Sequence, residues 1–167
     1  DGEGFAAGYS NSIVSFVNTL EWARTNGVKK LLYASTSSLY GNNPVPLVET
    51  QYVIPLNHYA VTKHLYERCA ALYDKTYPDM DLIGFRFMSV YGPNEEAKGK
   101  YANIISQFCW DMARDRQPVI FGDGTQFRDF TNVRDIVAGI SLAMESDKKF
   151  GADIFNIGTG RSTTLNE

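Results

Sequence analysis

The sequence has little cysteine, no long apolar run and no excess of positive charge. Its two cysteines, Cys69 and Cys109, fall in segments with a helical pattern, so we predict buried free thiols and neither a disulfide nor a metal site. No apolar stretch approaches the roughly 20 residues of a membrane-spanning helix. The net charge of −3 and the lack of a basic stripe argue against a nucleic-acid partner. With no secretory leader pattern either, we expect a cytoplasmic protein without a membrane partner.

What the sequence does contain is an alternation of helical and strand patterns. With 44% hydrophobic residues, a chain of 167 residues can build a substantial core. The patterns predict helices over 11–26, 57–77, 101–116 and 133–146, and strands over 30–35, 81–87, 118–121, 127–131 and 152–157. This order predicts an α/β fold with a doubly wound parallel sheet, in which 118–131 forms a small antiparallel insertion that carries substrate contacts.

A tyrosine and a lysine stand four residues apart near the start of the predicted helix 57–77. On a helix, Tyr59 and Lys63 share one face, with Cβ atoms roughly 5–6 Å apart. Free tyrosine, with a pKa of about 10, is a poor base at neutral pH, but a neighbouring ammonium favours the phenolate. A phenolate can remove a proton from an alcohol while hydride leaves the same carbon. With ten tyrosines in the chain, the pair alone is a weak motif.

Hydroxyl side chains cluster directly after the predicted strand 30–35, in the run Ser35-Thr36-Ser37-Ser38. Ligands of parallel sheets gather at the carboxyl ends of the strands. We therefore expect Thr36 to lie at a ligand site, beside the start of the helix that carries Tyr59. The alternative is that Thr36 only caps a turn rich in serine and threonine.

Ordered sequence segments resemble the extended short-chain dehydrogenase/reductases, specifically the NAD-dependent nucleotide-sugar epimerases and dehydratases. The segments are Tyr33-Ala34-Ser35-Thr36-Ser37-Ser38-Leu39-Tyr40-Gly41, Tyr59-Ala60-Val61-Thr62-Lys63 with Glu67, Arg86-Phe87-Met88-Ser89-Val90-Tyr91-Gly92-Pro93, Gly122-Asp123-Gly124-Thr125-Gln126-Phe127-Arg128-Asp129-Phe130 and Phe155-Asn156-Ile157-Gly158-Thr159-Gly160. They follow the family's order and span most of the chain. The resemblance implies a Rossmann-like, NAD-binding fold.

The resemblance also implies a catalytic set and a cofactor. The catalytic residues would be Thr36, Tyr59 and Lys63, in which Lys63 favours the phenolate and donates hydrogen bonds to the nicotinamide ribose. The cofactor would be NAD, with NADP as the alternative. Its contacts would come from Ala34, Ser35, Tyr59, Lys63, Phe87, Ser89 and Val90.

Substrate contacts follow from the same resemblance. They would come from Thr36, Ser37, Ser38, Ser89, Lys98, Asn103, Val119, Phe121 and Arg128. Asn103 and Arg128 would bind the diphosphate, because helix starts and guanidinium groups both suit anions. Val119 and Phe121 would enclose the nucleotide base. Ser89 stands where many relatives have Asn, so the substrate assignment is open at this position.

Two further positions distinguish branches of the family. The 4,6-dehydratases have Asp and Glu where this chain has Ser37 and Ser38, so the sequence favours an epimerase. The Lys98-Gly99 pair resembles ADP-heptose 6-epimerases, in which the equivalent lysine can act as a second base. The alternative is that Lys98 is only a solvated loop residue.

The family's glycine-rich G-x-x-G-x-x-G turn, which receives the dinucleotide pyrophosphate, is not found in this sequence. A short polar and glycine-rich stretch, 1–8, instead runs directly into the predicted helix 11–26. We therefore expect a fragment that lacks the first half of the dinucleotide fold and the last helices. Within it, 1–93 would belong to the dinucleotide-binding domain, 94–131 to the substrate-binding portion, and 132–167 to the return of the dinucleotide-binding domain.

The function expected from the resemblance is that of a UDP-hexose 4-epimerase acting through a transient keto-sugar. Alternatives are an ADP-heptose 6-epimerase type of enzyme, a nucleotide-sugar dehydratase or reductase, and a non-catalytic nucleotide-binding protein on the same fold. The fragment alone would be inactive. The resemblance also implies a homodimer that forms through helices 11–26 and 57–77.

Overall fold

The computed structural model describes residues 4–167. The chain divides into two compact units. The first runs up to Arg86 and includes Met144–Asn156, and the second comprises Phe87–Ala143 and Ile157–Glu167. Among the described residues, no helix is both long and apolar enough to cross a membrane.

The first unit carries the predicted helices and strands of the amino-terminal half. Its elements are helix α1 (Phe5–Tyr9), a π-helical turn (Ser10–Val14), helix α2 (Ser15–Thr25), strand β1 (Lys30–Thr36), a 3₁₀ turn (Ser37–Tyr40), helix α3 (His58–Thr76) and strand β2 (Asp81–Phe87). The polar start is thus partly helical, and Asp1, Gly2 and Glu3 lie outside the described residues.

Local signals explain where the two long helices end. After α2, Gly27 has a φ of 69°, and the next residue, Val28, donates its N–H to the carbonyl of Ala23 at 2.9 Å. A residue with positive φ directly after a helix is a common way to end it, and glycine adopts it without strain. Helix α3 stops before Pro78, which disfavours helical geometry in the residue that precedes it.

The sheet of the first unit has the order β1–β2–β6, where β6 is Ile154–Ile157. The N–H of Leu82 bonds to the carbonyl of Gly151 at 2.7 Å, and that of Gly84 bonds to Asp153 at 3.0 Å. From the first bond to the second, both strand segments advance by two residues in the same direction, so β2 and β6 are parallel. The prediction of an α/β fold with a parallel sheet is confirmed.

Apolar side chains from α2, α3 and the sheet form the core of the first unit. The buried cluster consists of Phe16, Leu20, Ala23, Tyr33, Ala70, Met80 and Leu82. The Phe16 ring stacks on the Tyr66 ring of α3 with centroids 4.1 Å apart. This packing fixes α3 against α2 and β1, and thereby sets the position of the residues at the start of α3.

The second unit combines two short sheets with two helices. Strand β3 (Ser89–Tyr91) pairs in parallel with β5 (Phe130–Asn132), and β4 (Phe127–Arg128) pairs antiparallel with β7 (Thr163–Thr164). The helices are α4 (Ile104–Met112) and α5 (Val133–Glu145), and a 3₁₀ segment covers Glu95–Tyr101.

An aspartate fixes the turn that follows β6 in the second unit. The Asp129 carboxylate accepts the backbone N–H groups of Thr159 and Gly160 at 2.9 and 2.8 Å, and the Thr159 hydroxyl at 2.7 Å. A Cβ atom on Gly158 would lie 2.7 Å from the Asp129 carboxylate and 2.5 Å from Met88. Glycine is therefore required where this turn approaches Asp129.

The prediction of an antiparallel strand pair within 118–131 is wrong. Residues 118–121 form no strand, and the two pairings that involve 127–132 are made with β7 and β3 instead. Two features explain this result. Pro118 has no N–H to donate to a strand ladder, and Gly122 and Gly124 turn the chain at φ values of 88° and 76°.

The predicted helix 101–116 is also shorter in the structure, and the prediction of buried thiols is only partly right. Asn103 caps α4 by accepting the N–H of Ile105 at 3.2 Å, so the residues before it are not α-helical. Both cysteines are free, but Cys109 is exposed and Cys69 is half-buried. Cys109 lies on the outward side of α4, where the helical pattern alone suggested burial.

Candidate active site

Tyr59 is the second residue of α3, and its ring is 56% exposed. The helix begins there because the Asn57 side chain accepts the N–H of Ala60 at 2.8 Å. The ammonium of Lys63, one turn further on, lies 5.9 Å from the centroid of the Tyr59 ring. The structure therefore presents an accessible phenol beside a cation, on a helix start that is capped.

Lys63 connects α3 to strand β1. Its ammonium donates a hydrogen bond to the carbonyl of Ala34 at 2.9 Å, and it lies 4.5 Å from the centre of the Tyr66 ring. Burial lowers the pKa of Lys63. An ammonium has three donors, so one contact to the strand leaves it able to bind further acceptors while its position is fixed.

The hydroxyl cluster lies at the carboxyl end of β1, as its place in the sequence predicts. Thr36 ends the strand and is 7% exposed, and its hydroxyl oxygen accepts the N–H of Ser38 at 3.2 Å. Thr36 therefore caps the 3₁₀ turn, and its O–H proton is still available for donation. Ser37 is half-buried, while Ser38 and Ala34 are exposed.

The Ser35 hydroxyl takes part in a buried polar network. Its hydroxyl donates to Glu67 at 2.6 Å, and Arg86 makes two further bonds to the same carboxylate at 2.9 and 2.8 Å. Arg86 also donates to the Tyr40 hydroxyl at 2.9 Å, which in turn donates to Asn156 at 2.7 Å. The network joins β1, α3, β2 and β6.

The Glu67–Arg86 pair has the geometry of a strong buried ion pair. The two side chains are 9% and 6% exposed, and the contact is bidentate. Burial alone would lower the pKa of Arg86, but hydrogen bonds to Glu67 and Tyr40 raise it above its ordinary value. Because Glu67 lies one helical turn after Lys63, the pair fixes the helix face that carries the lysine.

In the second unit, Ser89, Asn103 and Arg128 line one pocket of about 230 Å³, together with Ile104, Gln126 and Leu165. The Asn103 amide donates to the Ser89 hydroxyl at 3.0 Å and to the Val90 carbonyl at 2.9 Å. The Arg128 guanidinium is exposed and donates to the carbonyl of Phe127 at 2.7 Å. The pocket combines a cation with amide and hydroxyl groups, which suits an oxygen-rich anionic ligand.

Lys98 lies in the 3₁₀ segment before α4 and pairs with a buried carboxylate. Its ammonium is 2.9 Å from Glu95, whose side chain is 5% exposed, whereas the Lys98 side chain is 57% exposed. Glu95 also accepts the N–H of Asn103 at 3.3 Å and the Ser106 hydroxyl. Burial raises the pKa of Glu95, but the bonds from Ser106 and Lys98 hold it below its ordinary value.

The remaining predicted contacts are placed as follows. Val119 and Phe121 are 62% and 80% exposed and lie in an irregular segment. Phe87 ends β2 and Val90 lies in β3, both half-buried. The structure thus brings Ala34, Tyr59 and Lys63 together in the first unit, where Thr36 ends the strand that carries Ala34. It brings Ser89, Asn103 and Arg128 together in the second.

Sequence reasoning missed several residues that organise these groups. Glu95 and Gln126 were not singled out, and Glu67 and Arg86 entered only as part of a resemblance. Their signal was present in the sequence, because a glutamate or arginine inside an apolar pattern needs a buried partner. What the sequence could not give is the partner's identity, since Glu67 and Arg86 come from different elements.

One surface groove of the first unit contains none of the predicted site residues. It has a volume of about 550 Å³ and is lined by Lys29, Lys30, Asp79, Asp81, Ser146, Asp147, Lys148 and Lys149. Many of these side chains bond to the backbone, as Asp81 does to the N–H of Gly151 at 2.9 Å. Its charges of both signs therefore serve the local structure.

Comparison with known families matches residues 6–158 to the NAD dependent epimerase/dehydratase family. The chain belongs to this family. A relative of this epimerase/dehydratase chain, a UDP-glucuronate 4-epimerase of Thermodesulfobacterium geofontis, is 37% identical over 153 residues, which cover 91% of this chain and 45% of the relative.

Solved structures agree with the family assignment. A UDP-glucose 4-epimerase of Thermotoga maritima, solved with UDP-glucose, superposes with a TM-score of 0.88 at 33% identity, covering 97% of this chain and 52% of that one. An ADP-L-glycero-D-manno-heptose-6-epimerase of Helicobacter pylori gives a TM-score of 0.85 at 28% identity, covering 99% of this chain and 51% of that one. The epimerase/dehydratase chain spans about half the length of the curated relatives it matches.

Proposed function

We propose that this chain supplies the acid/base residues and the sugar-nucleotide side of an NAD-dependent nucleotide-sugar epimerase, specifically a UDP-hexose 4-epimerase. The observation that carries the proposal is the exposed Tyr59 phenol beside a Lys63 ammonium fixed to the end of β1. Family membership and the UDP-sugar epimerases among the relatives support it.

In this proposal Tyr59 is the general base and, in the reverse direction, the general acid. As phenolate, it would take the proton of the sugar C4 hydroxyl, while the Thr36 hydroxyl donates a hydrogen bond to the oxygen left at C4. The Lys63 ammonium would place its positive charge beside the Tyr59 ring. NAD, when bound, supplies the hydride acceptor and donor for C4. The transient 4-keto sugar would turn and receive hydride on its other face, which inverts C4.

The residues present fit the nicotinamide end of such a cofactor. Lys63 has donors beyond the one that Ala34 accepts, and the exposed Ala34 and the end of β1 lie beside it. The backbone of Ser35 would add to these contacts, since the Ser35 hydroxyl is committed to Glu67. The contacts expected from Phe87, Ser89 and Val90 stay a prediction from the family resemblance. The glycine-rich turn for the pyrophosphate is not in this sequence.

The pocket of the second unit would hold the substrate diphosphate. Arg128 supplies a guanidinium, which suits phosphate oxygens, and Asn103 marks the start of α4, where a helix favours an anion. Ser89 would contact the sugar or phosphate, and the exposed Val119 and Phe121 would enclose the base. Ser37 and Ser38 would contact the sugar without the acid/base pair that dehydration requires, which supports epimerisation.

A second candidate is an ADP-heptose 6-epimerase type of activity. It is favoured by Lys98 and by the similarity to the Helicobacter pylori enzyme. Against it stands the contact between Lys98 and the buried Glu95, which gives this ammonium a structural partner. A non-catalytic nucleotide-binding role is the third reading, and the intact Thr36, Tyr59 and Lys63 weigh against it.

The experiment that separates these functions uses the full-length protein that contains this chain. The purified protein is assayed for bound dinucleotide and for inversion of UDP-glucose, UDP-glucuronate and ADP-heptose, with products resolved by chromatography. Conversion of UDP-glucose to UDP-galactose supports the main proposal. Activity on ADP-heptose alone would move the function to the second candidate, and bound nucleotide without turnover would support the third.

We also propose a homodimer formed through α2 and α3, the structured parts of the predicted segments 11–26 and 57–77. Large apolar side chains on these helices are exposed in the single chain, with Trp22 at 62%, Leu72 at 59% and Leu65 at 39%. Apolar groups of this size on adjacent helices support association with a second copy of the chain.

A further inference from the structure

We propose that Glu95 is a positioning residue for substrate binding, acting through Asn103. This inference rests on the proposed function, because it assigns the pocket between Asn103 and Arg128 to the diphosphate of the nucleotide-sugar. Glu95 does not line that pocket. Instead, it accepts the backbone N–H of Asn103, the residue that lines the pocket at the start of α4.

The contacts of Glu95 all lie at or near the start of α4. Its carboxylate is buried, and it accepts the Asn103 N–H at 3.3 Å, the Lys98 ammonium at 2.9 Å and the Ser106 hydroxyl. Thus one carboxylate binds the residue before α4, a residue inside α4 and the segment that leads to it. A buried carboxylate is costly unless it is fully bonded, so its removal would release all three.

Asn103 depends on this anchor for its own geometry. Its side chain makes three bonds, in which the amide donates to Ser89 and Val90 while the oxygen accepts the N–H of Ile105. Its backbone N–H is held by Glu95. Both N–H groups of the amide are used in the bonds to Ser89 and Val90, so Asn103 acts on the pocket by holding Ser89 in place. The backbone bond to Glu95 fixes the start of α4, from which the Asn103 side chain extends.

The mechanism by which Glu95 acts differs from that of a residue that contacts ligand. Loss of the carboxylate would let the start of α4 shift, so Asn103 would no longer hold Ser89 in the arrangement that lines the pocket. Tyr59 and Lys63 belong to the first unit and are not bonded to Glu95. The effect should therefore fall on substrate affinity and on KM, with kcat at saturation and the bound cofactor changed little.

The test measures UDP binding and turnover in the full-length protein. Glu95→Ala should weaken UDP binding roughly tenfold or more, as expected when a charged hydrogen-bonding group is removed. Glu95→Gln keeps an oxygen that can accept the Asn103 N–H, so it should recover most of the affinity. Ser106→Ala is the matched control, because it removes another bond to the same carboxylate but leaves the Asn103 contact in place.

A double-mutant cycle shows whether the effect passes through Asn103. In an Asn103→Ala background, the Glu95→Gln and Glu95→Ala substitutions should add little to the loss of UDP affinity. If Glu95→Ala does not fold, Glu95→Met, which fills similar space but cannot accept the Asn103 N–H, completes the cycle with Asn103→Ala. Equal additive losses in both backgrounds would overturn the proposal, and so would a loss with Ser106→Ala as large as that with Glu95→Ala.

UDP binding by the wild-type protein distinguishes a failure of the positioning role of Glu95 from a failure of the proposed function. If wild-type protein binds UDP and both Glu95 variants bind it equally well, the positioning role is wrong while the proposed function stands. If the wild-type protein, with its cofactor bound, does not bind UDP or UDP-glucose, the proposed function fails and the role of Glu95 fails with it.

Discussion

At the scale of single residues, buried charges organise the groups proposed for catalysis. Glu67 and Arg86 form a bidentate pair that also holds Ser35, and Glu95 bonds to three partners. Neither carboxylate contacts solvent appreciably. Their contribution to the free energy of unfolding is therefore best measured with variants that remove the charge but keep the shape of the side chain.

Replacing Glu67 with Gln leaves the Arg86 charge buried without its counter-ion. Breaking a buried ion pair in this way typically costs about 3–5 kcal/mol, so we expect a loss of that order in the free energy of unfolding, measured by urea denaturation. Arg24→Gln, which breaks the exposed pair between Arg24 and Glu21, is the control and should have a much smaller effect. Equal effects of the two variants would contradict this view of the network.

The lowered pKa of Glu95 predicts a pH dependence of stability. The unfolded chain takes up a proton near the ordinary carboxylate value of 4.5, whereas the folded chain does so only at lower pH. The unfolded state therefore binds more protons in this window, and stability falls as the pH drops through the folded pKa. Unfolding measured from pH 6 downwards should show a steeper loss for wild type than for Glu95→Gln. Parallel curves would be inconsistent with the contacts of Glu95.

At the scale of elements, the start of α3 and the middle of β2 are the most sensitive positions. Asn57 caps the helix two residues before Tyr59. Gly84 lies in β2 where a Cβ atom would be 2.6 Å from both the Tyr33 hydroxyl and the Ile154 side chain. Asn57 determines the geometry of the turn that carries Tyr59, whereas Gly84 determines how closely β2 packs against Tyr33 and Ile154.

Removal of the cap should affect both stability and activity. Asn57→Ala is expected to cost about 1 kcal/mol of unfolding free energy, and it should lower turnover because the first turn that carries Tyr59 frays. Asn57→Asp retains a capping oxygen and should restore both quantities. If Asn57→Ala lowered stability but left turnover of the full-length protein intact, the capped geometry of Tyr59 would not matter for catalysis.

Crowding at Gly84 predicts a clear cost of overpacking. Gly84→Ala should destabilise the protein by about 1–3 kcal/mol, because the new methyl group meets Tyr33 and Ile154 in a packed interior. Gly8→Ala is the matched control, since a Cβ atom at Gly8 would meet nothing within 4 Å. A neutral Gly84→Ala would mean that the sheet has more room beside β2 than the structure gives it.

Most elements could be predicted from the sequence, because they follow from periodicity and caps. Strand β2 was predicted with its observed bounds, and α3 differs by one residue at each end. The prediction for 118–131 was wrong because the strands in this segment pair with residues that are distant in sequence. Phe127 pairs with Thr164, and Phe130 pairs with Ser89. Candidate site residues could be proposed, but the anchors Glu95 and Glu67 required the structure.

At the scale of the whole molecule, the chain exposes apolar surface that the proposed dimer would cover. Leu72→Glu or Trp22→Glu places a charge on α3 or α2 and should shift the full-length protein toward the monomer in sedimentation velocity experiments. Leu142→Glu on α5, where Leu142 is 71% exposed, is the matched control and should leave the assembly unchanged. Dimerisation that survives both α2 and α3 variants would place the interface elsewhere.

The most direct test of the central claim is the rate of UDP-glucose inversion by the full-length protein and its Tyr59→Phe variant. General acid/base catalysis typically contributes 10²- to 10⁴-fold, so we predict a loss in kcat of that size with the bound NAD retained. Tyr52→Phe, which alters a tyrosine that is 84% exposed, should retain wild-type turnover. A Tyr59→Phe rate within tenfold of wild type would contradict the account, because the proton transfer would then belong to another group.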